Sequence, residues 1–197
     1  MCREIRAEYR PIQRREAQIE LEWNDLQHFL DDYLYTNEDR ASPPRALYVS
    51  MTSAFRKDQT VDILPLLLTK AMHPSFLCTF FDDGSDDSSV DSFMSRDQAR
   101  LHAEWAAMDD LLNLKNKSWM LDIQTGRISS VVVRRHQSVC IKFARGREPE
   151  GLALWFSSQS EDPWKHQDVY ERTRDRWGFH QYAFLAYEWG LELEIES

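Results

Sequence analysis

Between Arg15 and Tyr35 the apolar residues Ile19, Trp23, Leu26, Leu30 and Tyr33 recur at steps of three or four. That is the stripe of a helix packed on one side, and the spacing predicts a helix over 15–35. "TNEDRASPPR" closes it, because Pro43 and Pro44 cannot continue a helix and the polar residues favour a turn. In "ALYVSMTSAF", Leu47, Val49 and Met51 alternate with Tyr48 and Ser50, as in a half-buried strand. "DQTVDILPLLLTKAMHPSF" is apolar almost all round. Asp62 as N-cap places Pro65 in the first turn, where its missing N–H costs no intrahelical bond, so a short buried helix is expected.

The pattern then breaks in "FFDDGSDDSSVDSFMSRDQ", where an acidic surface loop over 82–94 is expected between Phe81 and a new helix. Ser95 and Gln98 have the spacing of a capping box, and Leu101, Trp105, Met108 and Leu112 continue at helical steps. After Ser118 the period becomes two. "WMLDI", "RISSVVVRR", "SVCIKFARG" and "GLALWFSS" read as four strands joined by short turns, with Gly126 free to take a positive φ. Leu121, Ile123, Val139, Ile141, Phe143, Leu152, Leu154 and Phe156 would form the inward face.

Asp162 and Pro163 give a paired start signal for a helix reaching Arg176. A second helix over 182–189 is expected to break at Gly190. Beyond it Leu191, Leu193 and Ile195 alternate with glutamates that face water, which predicts a terminal strand. The fold class that follows is α+β: N-terminal helices on a mostly antiparallel four- to five-stranded meander, with C-terminal helices and a terminal strand. One domain over 1–197 is expected, with 1–14 as a flexible arm.

Charge narrows the choice of partners. Lysine and arginine total 24 against 33 acidic residues, a net charge of −9, which opposes nonspecific attraction to nucleic acid or an anionic membrane. No apolar run approaches the roughly 18 residues of a membrane span, and the N-terminus has no apolar leader. Cys2, Cys78 and Cys140 are far apart without a C-x-x-C pair, so no disulfide framework or thiolate zinc site is suggested. A cytoplasmic or nuclear location is expected.

Recognisable catalytic signatures are missing. "DDGSDDSSVDSF" lacks the EF-hand spacing, and the histidines His28, His73, His102, His136, His166 and His180 form no metal-binding pair. Neither a metal nor a cofactor is expected. Ser88, with Asp91 three residues on, has an acidic context suited to phosphorylation. On the second face of the expected meander, Asp122, Lys142 and Trp155 would lie together, a carboxylate, an amine and an indole that could line a pocket or make an ordinary solvent face. Seven tryptophans are spread along the chain. Trp23 and Trp105 sit on core stripes, whereas Trp164 and Trp177 flank the charged "KHQDVYERTRDR" and are, with Trp155, the candidate partner anchors, with packing in the core as the other reading for Trp164 and Trp177.

Helices preceding a curved sheet are similar to the cone of the nuclear transport factor 2-like proteins, and the resemblance implies a pocket of the kind used by small-molecule isomerases and binding proteins. Two functional expectations result. The preferred one is a non-enzymatic protein-interaction or regulatory module acting on another protein through an aromatic and charged surface. The alternative is a small-molecule-binding protein or an enzyme, with Asp122, Lys142, His102 or His166 as acid or base.

Overall fold

The computed structural model describes residues 15–34, 42–51, 60–81, 108, 111–112, 116–134, 138–149, 167–177 and 190–196. They belong to two compact units, one built from Met1–Arg56 and Pro65–Leu112, the other from Lys57–Leu64 and Asn113–Ser197. The α+β class holds. The sheets differ from the expected meander in both number and strand direction.

The first unit carries a parallel three-stranded sheet in the order β1-β2-β4, with β1 at Gln18–Glu22, β2 at Ala46–Ser50 and β4 at Leu77–Phe81. Helix α1, Trp23–Tyr33, follows β1 directly and packs on β1 and β2. The first half of the helix expected over 15–35 is therefore largely strand. "QIELE" alternates with period two, and Ile19, Trp23 and Leu26 also fit a helical step, so the helical pattern masked the boundary at Glu22. Trp23, Leu26, Phe29 and Leu30 make the buried stripe of α1, and the Trp23 ring lies 6.3 Å from that of Phe80 on β4.

The central strand of this parallel sheet is covered on both faces. In β2, Ala46, Leu47, Val49 and Ser50 are all buried, so the apolar alternation there marks a central strand rather than a half-solvated one. Helix α2 spans Leu64–Met72, as expected from Asp62 and Pro65, and buries Leu66, Leu67 and Thr69. Lys70 Nζ donates to the carbonyls of Pro74 and Phe76, tying the helix end to the turn before β4. Met108, Leu111 and Leu112 are helical and buried.

The second unit carries a four-stranded sheet in the order β3-β5-β6-β7, with β3 at Thr60–Asp62, β5 at Ile128–Arg134, β6 at Ser138–Phe143 and β7 at Gly190–Ile195. The β3/β5 and β5/β6 pairs are antiparallel and β6/β7 is parallel. One face is apolar: Val61, Val131, Val133, Val139, Ile141, Phe143 and Leu193 are buried along it. "WMLDI" is not the first strand of a meander but the body of helix α3, Lys117–Gln124. Its buried residues, Trp119, Met120, Asp122 and Ile123, have helical spacing, and Leu121, expected inward, is 54% exposed.

Capping explains why α3 wins over a strand. The Asn116 side chain accepts from Trp119 N at 3.0 Å. At the other end Gly126 N donates to Ile123 O and Arg127 N to Asp122 O, with Gly126 at φ 65°, the paired bonds of a Schellman ending. Helix α4, Gln167–Arg176, matches the C-terminal end of the expected charged helix, and β7 is the expected terminal strand. The arm 1–14, the acidic loop 82–94 with Ser88, the capping box at Ser95, the strand expected around Trp155 and the start signal at Pro163 lie outside the described residues.

Asp62, at the end of β3, accepts two backbone bonds within the second unit. Its Oδ1 accepts from Leu64 N, opening α2, and from Val131 N on β5, both at 3.0 Å. Asp62→Ala orphans two backbone donors and is expected to lower unfolding free energy by about 1–3 kcal/mol, read by urea titration. Asp62→Asn keeps an acceptor there and recovers most of the loss. Equal losses in both variants would show that the carboxylate charge, not the two bonds, matters.

Candidate functional site

A carboxylate on the inward face of an amphipathic helix is costly to bury unless donors meet it. Asp122 is in that position, 2% exposed beside Trp119 and Ile123 on α3. Three donors converge on it. Trp177 Nε1 donates to Oδ2 at 2.9 Å, while Arg127 Nη1 and Arg176 Nη2 donate to Oδ1 at 3.1 and 3.0 Å.

Local folding supplies each donor. The Schellman ending turns the chain back so that Arg127 starts beside the last turn of α3. Arg176 and Trp177 come from the end of α4, which is held to the start of α3 by Asn116 Nδ2 donating to Arg176 O at 3.4 Å. Trp177 is wedged between aromatic rings, edge-on to Trp119 at 5.1 Å and stacked on Phe143 at 5.6 Å. Its indole fills the core while its N–H meets the buried Asp122 carboxylate.

A third arginine arrives from the turn after β6. Arg147 N donates to Ala144 O and Gly146 sits at φ 74°, which aims the side chain at the end of α3. There Arg147 Nη1 donates to Thr125 O at 2.7 Å and Gly126 O at 3.4 Å, satisfying carbonyls at the negative end of the helix. Leu121, Asp122, Thr125, Arg127, Gly146, Arg147 and Arg176 line an open cleft of about 360 Å³. Each guanidinium spends one terminal nitrogen in these bonds, and among the described residues nothing takes up the others. Arg127 and Arg176 keep 36% and 39% of their side chains exposed. Among the described residues the cleft can therefore offer N–H donors from three arginines to a ligand, against one carboxylate whose two oxygens already accept three bonds.

The expected site residues are distributed differently from the sequence reading. Asp122 is in the cleft, but on a helix and buried, with its oxygens committed to three donors. Lys142 is not in the cleft: it lies on the polar face of β6, where Nζ meets Glu194 Oε2 at 3.0 Å. Trp177 is fully buried, which corrects its expected role as an exposed anchor. The flanking charges misled, because the helix turns its charged side outward and leaves this indole to the core. Trp155, Trp164, His102, His166 and Ser88 lie outside the described residues. Arg127, Arg147 and Arg176 were not anticipated. The available signal was two Gly-Arg steps, Gly126-Arg127 and Gly146-Arg147, each placing a cation just after a turn glycine.

The polar face of the β6/β7 pair forms a second cluster. Lys142 pairs with Glu194, and Arg134 Nη1 meets Glu192 Oε2 at 2.9 Å. Cys140 Sγ and oxygens of Glu192 and Glu194 lie within 4.8 Å of one another. Burial, reinforced by the charge of Glu194 and a hydrogen bond to it, pushes the Cys140 thiol up to about 12. A protonated thiol beside two carboxylates that already have cationic partners is a poor ligand set for a metal ion. The hydrogen bond from Lys142 lowers Glu194 below its usual 4.5, and its partner bond raises Lys142 above 10.5. The pair thus stabilises the fold above about pH 4.5 and below about pH 10.5, fading as Glu194 protonates on the acid side or Lys142 deprotonates on the alkaline side. Both side chains are 40% exposed, so its worth is at most about 1 kcal/mol.

Comparison with protein-family models, with curated proteins and with solved structures finds no match for the chain. Among the described residues, no helix is long and apolar enough to cross a membrane.

Two outcomes follow from this geometry. Asp122→Ala leaves two guanidinium groups and an indole N–H without their acceptor and is expected to cost about 3–5 kcal/mol, and Trp177→Ala a similar amount through the lost ring stack. Denaturant unfolding measures both, and a Trp177→Ala protein as stable as the parent would contradict its placement in the core. At pH 8, a thiol near 12 is ionised in only about one molecule in ten thousand. Iodoacetamide should therefore modify the half-buried Cys78 in the native protein long before Cys140, as mapped by peptide mass spectrometry.

Proposed function

We propose that this protein is a non-enzymatic binding or regulatory module whose second unit takes an anionic group of its partner into the arginine-lined cleft. The observation that carries the reading is the convergence of Arg127, Arg147 and Arg176 on one opening, with donors left over after their internal bonds. Planar guanidinium forks suit carboxylate or phosphate oxygens better than lysine does, and charge-assisted hydrogen bonds are about twice as strong as neutral ones. Support for binding over acid–base catalysis comes from Asp122. Among the described residues it is the only acidic one lining the cleft, and its oxygens hold Arg127, Arg176 and Trp177 rather than facing a ligand as a free base.

The interaction module expected from the sequence is retained, with its anchoring chemistry moved from exposed tryptophans to arginines. Isothermal titration with sodium phosphate at constant ionic strength tests it. The expected result is saturable binding that Arg147→Gln weakens about tenfold, with Arg147→Lys intermediate. Arg147 is exposed and outside the Asp122 cluster, so the variant should remain folded, as circular dichroism would verify. A linear, non-saturating titration, or an unchanged affinity in folded Arg147→Gln, would overturn the reading.

A further inference from the structure

Charge and surface chemistry within the cleft point to a narrower ligand class, resting on the anion-binding reading above. Among the described residues lining the cleft, three guanidinium charges face one carboxylate, and that carboxylate is shared by Arg127 and Arg176. The end of α3 adds a partial negative charge of about half a unit, which Arg147 offsets by donating to Thr125 O and Gly126 O. The remainder is an excess of roughly one and a half to two positive charges. A carboxylate ligand, with a single charge, leaves part of that excess uncompensated. A phosphomonoester carries about −1.5 to −2 at pH 7 and presents three acceptor oxygens, one for each arginine.

The walls are not wholly polar. Leu121 is 54% exposed on the lining, although its neighbours on α3, Met120 and Ile123, are buried. It stands among the arginines as an apolar contact for whatever carries the anion. Opposite chemistry is absent at Gly146, where bare backbone forms the wall and a Cβ would meet nothing within 4 Å. A cleft of about 360 Å³ falls at the lower end of the roughly 300–1,000 Å³ used by small organic ligands, so a phosphoryl group alone leaves room beside it.

We infer that the cleft formed by Leu121, Arg127, Arg147 and Arg176 binds a phosphomonoester that carries an apolar body, with the phosphoryl oxygens on the guanidinium groups and the body against Leu121. The group can come from a free aryl or alkyl phosphate or from a phosphorylated tyrosine side chain of a partner protein, since both present the same chemistry.

The test compares phenyl phosphate, inorganic phosphate, benzoate and a short phosphotyrosyl peptide flanked by alanines, by isothermal titration of the full chain at pH 7.5 and constant ionic strength. Phenyl phosphate is expected to bind about tenfold more tightly than benzoate and several-fold more tightly than inorganic phosphate. Leu121→Ser, a change at an exposed position whose folding circular dichroism verifies, should bring phenyl phosphate down to the level of inorganic phosphate. Peptide binding tighter than phenyl phosphate supports a protein-borne group, and equal binding supports a free phosphate ester. Benzoate binding as well as phenyl phosphate would overturn the phosphoryl assignment while leaving the anion reading intact. No effect of Leu121→Ser would overturn the apolar contact, and binding of none of the probes would sink both readings.

Discussion

The second unit is organised around a carboxylate that has no business in a hydrophobic core unless it is neutralised. An isolated ionised group costs several kcal/mol to bury even after relaxation, so the fold of residues 113–197 must deliver donors to Asp122. It does so with three donors from two places: the turn after α3 supplies Arg127, and the end of α4 supplies the Arg176 guanidinium and the Trp177 indole N–H. Each fixes an element that apolar packing alone would leave free to slide. Arginine is suited to this task because its fork can give one nitrogen to the core and keep others directed to solvent. Two of the cleft's three arginines are thus held in place by a buried charge, and the third, Arg147, by the carbonyls that end α3.

Packing and electrostatics reinforce each other at Trp177. The ring is held by Trp119 and Phe143, contributing apolar burial on the order of several kcal/mol, and the same ring points its one polar atom at Asp122. Replacing either partner removes support from the other. On the far side of the sheet the logic is different. Glu192 and Glu194 are only half-exposed, and their cross-strand partners Arg134 and Lys142 keep that face soluble at small energetic gain. Cys140 is buried on this polar face, and its thiol stays protonated because burial disfavours the thiolate and the neighbouring Glu194 charge adds to that.

Much of the fold was legible from residue order. Strands β2, β5, β6 and β7, the start of α2 at Asp62-Pro65 and the buried stripe of α1 all follow from alternation, helical spacing and capping. Two failures share one physical cause: a short apolar segment fits both periods. "QIELE" continues into a helical stripe and was absorbed by it, while Trp119, Leu121 and Ile123 alternate although the segment is a helix. In the second case the caps at Asn116 and Gly126 outweigh the alternation, because they satisfy backbone groups that a strand would have to pair elsewhere. The parallel pairing of β1, β2 and β4 depends on contacts distant in sequence, which no local pattern encodes.

The site was legible only in part, for a related reason. Asp122 stood out as a carboxylate in an apolar segment, yet its role reversed once the segment became a helix: it faces inward with Trp119 instead of outward with Lys142. The arginines lie at positions 127, 147 and 176, in segments that share no motif, and a net charge of −9 argues against any anion site if it is read as a global property. Net charge is a poor guide at this range. At physiological ionic strength the Debye length is about 8 Å, so charges elsewhere on the molecule are largely screened from a cleft whose guanidinium groups meet a ligand at hydrogen-bond distance. For the proposed anion site, the acidic surface would slow an anion's approach while the arginines would set how firmly it is held. A polyanion, whose many charges sample the whole surface, would meet that repulsion everywhere, whereas a compact anion would meet it only on the way to three arginines.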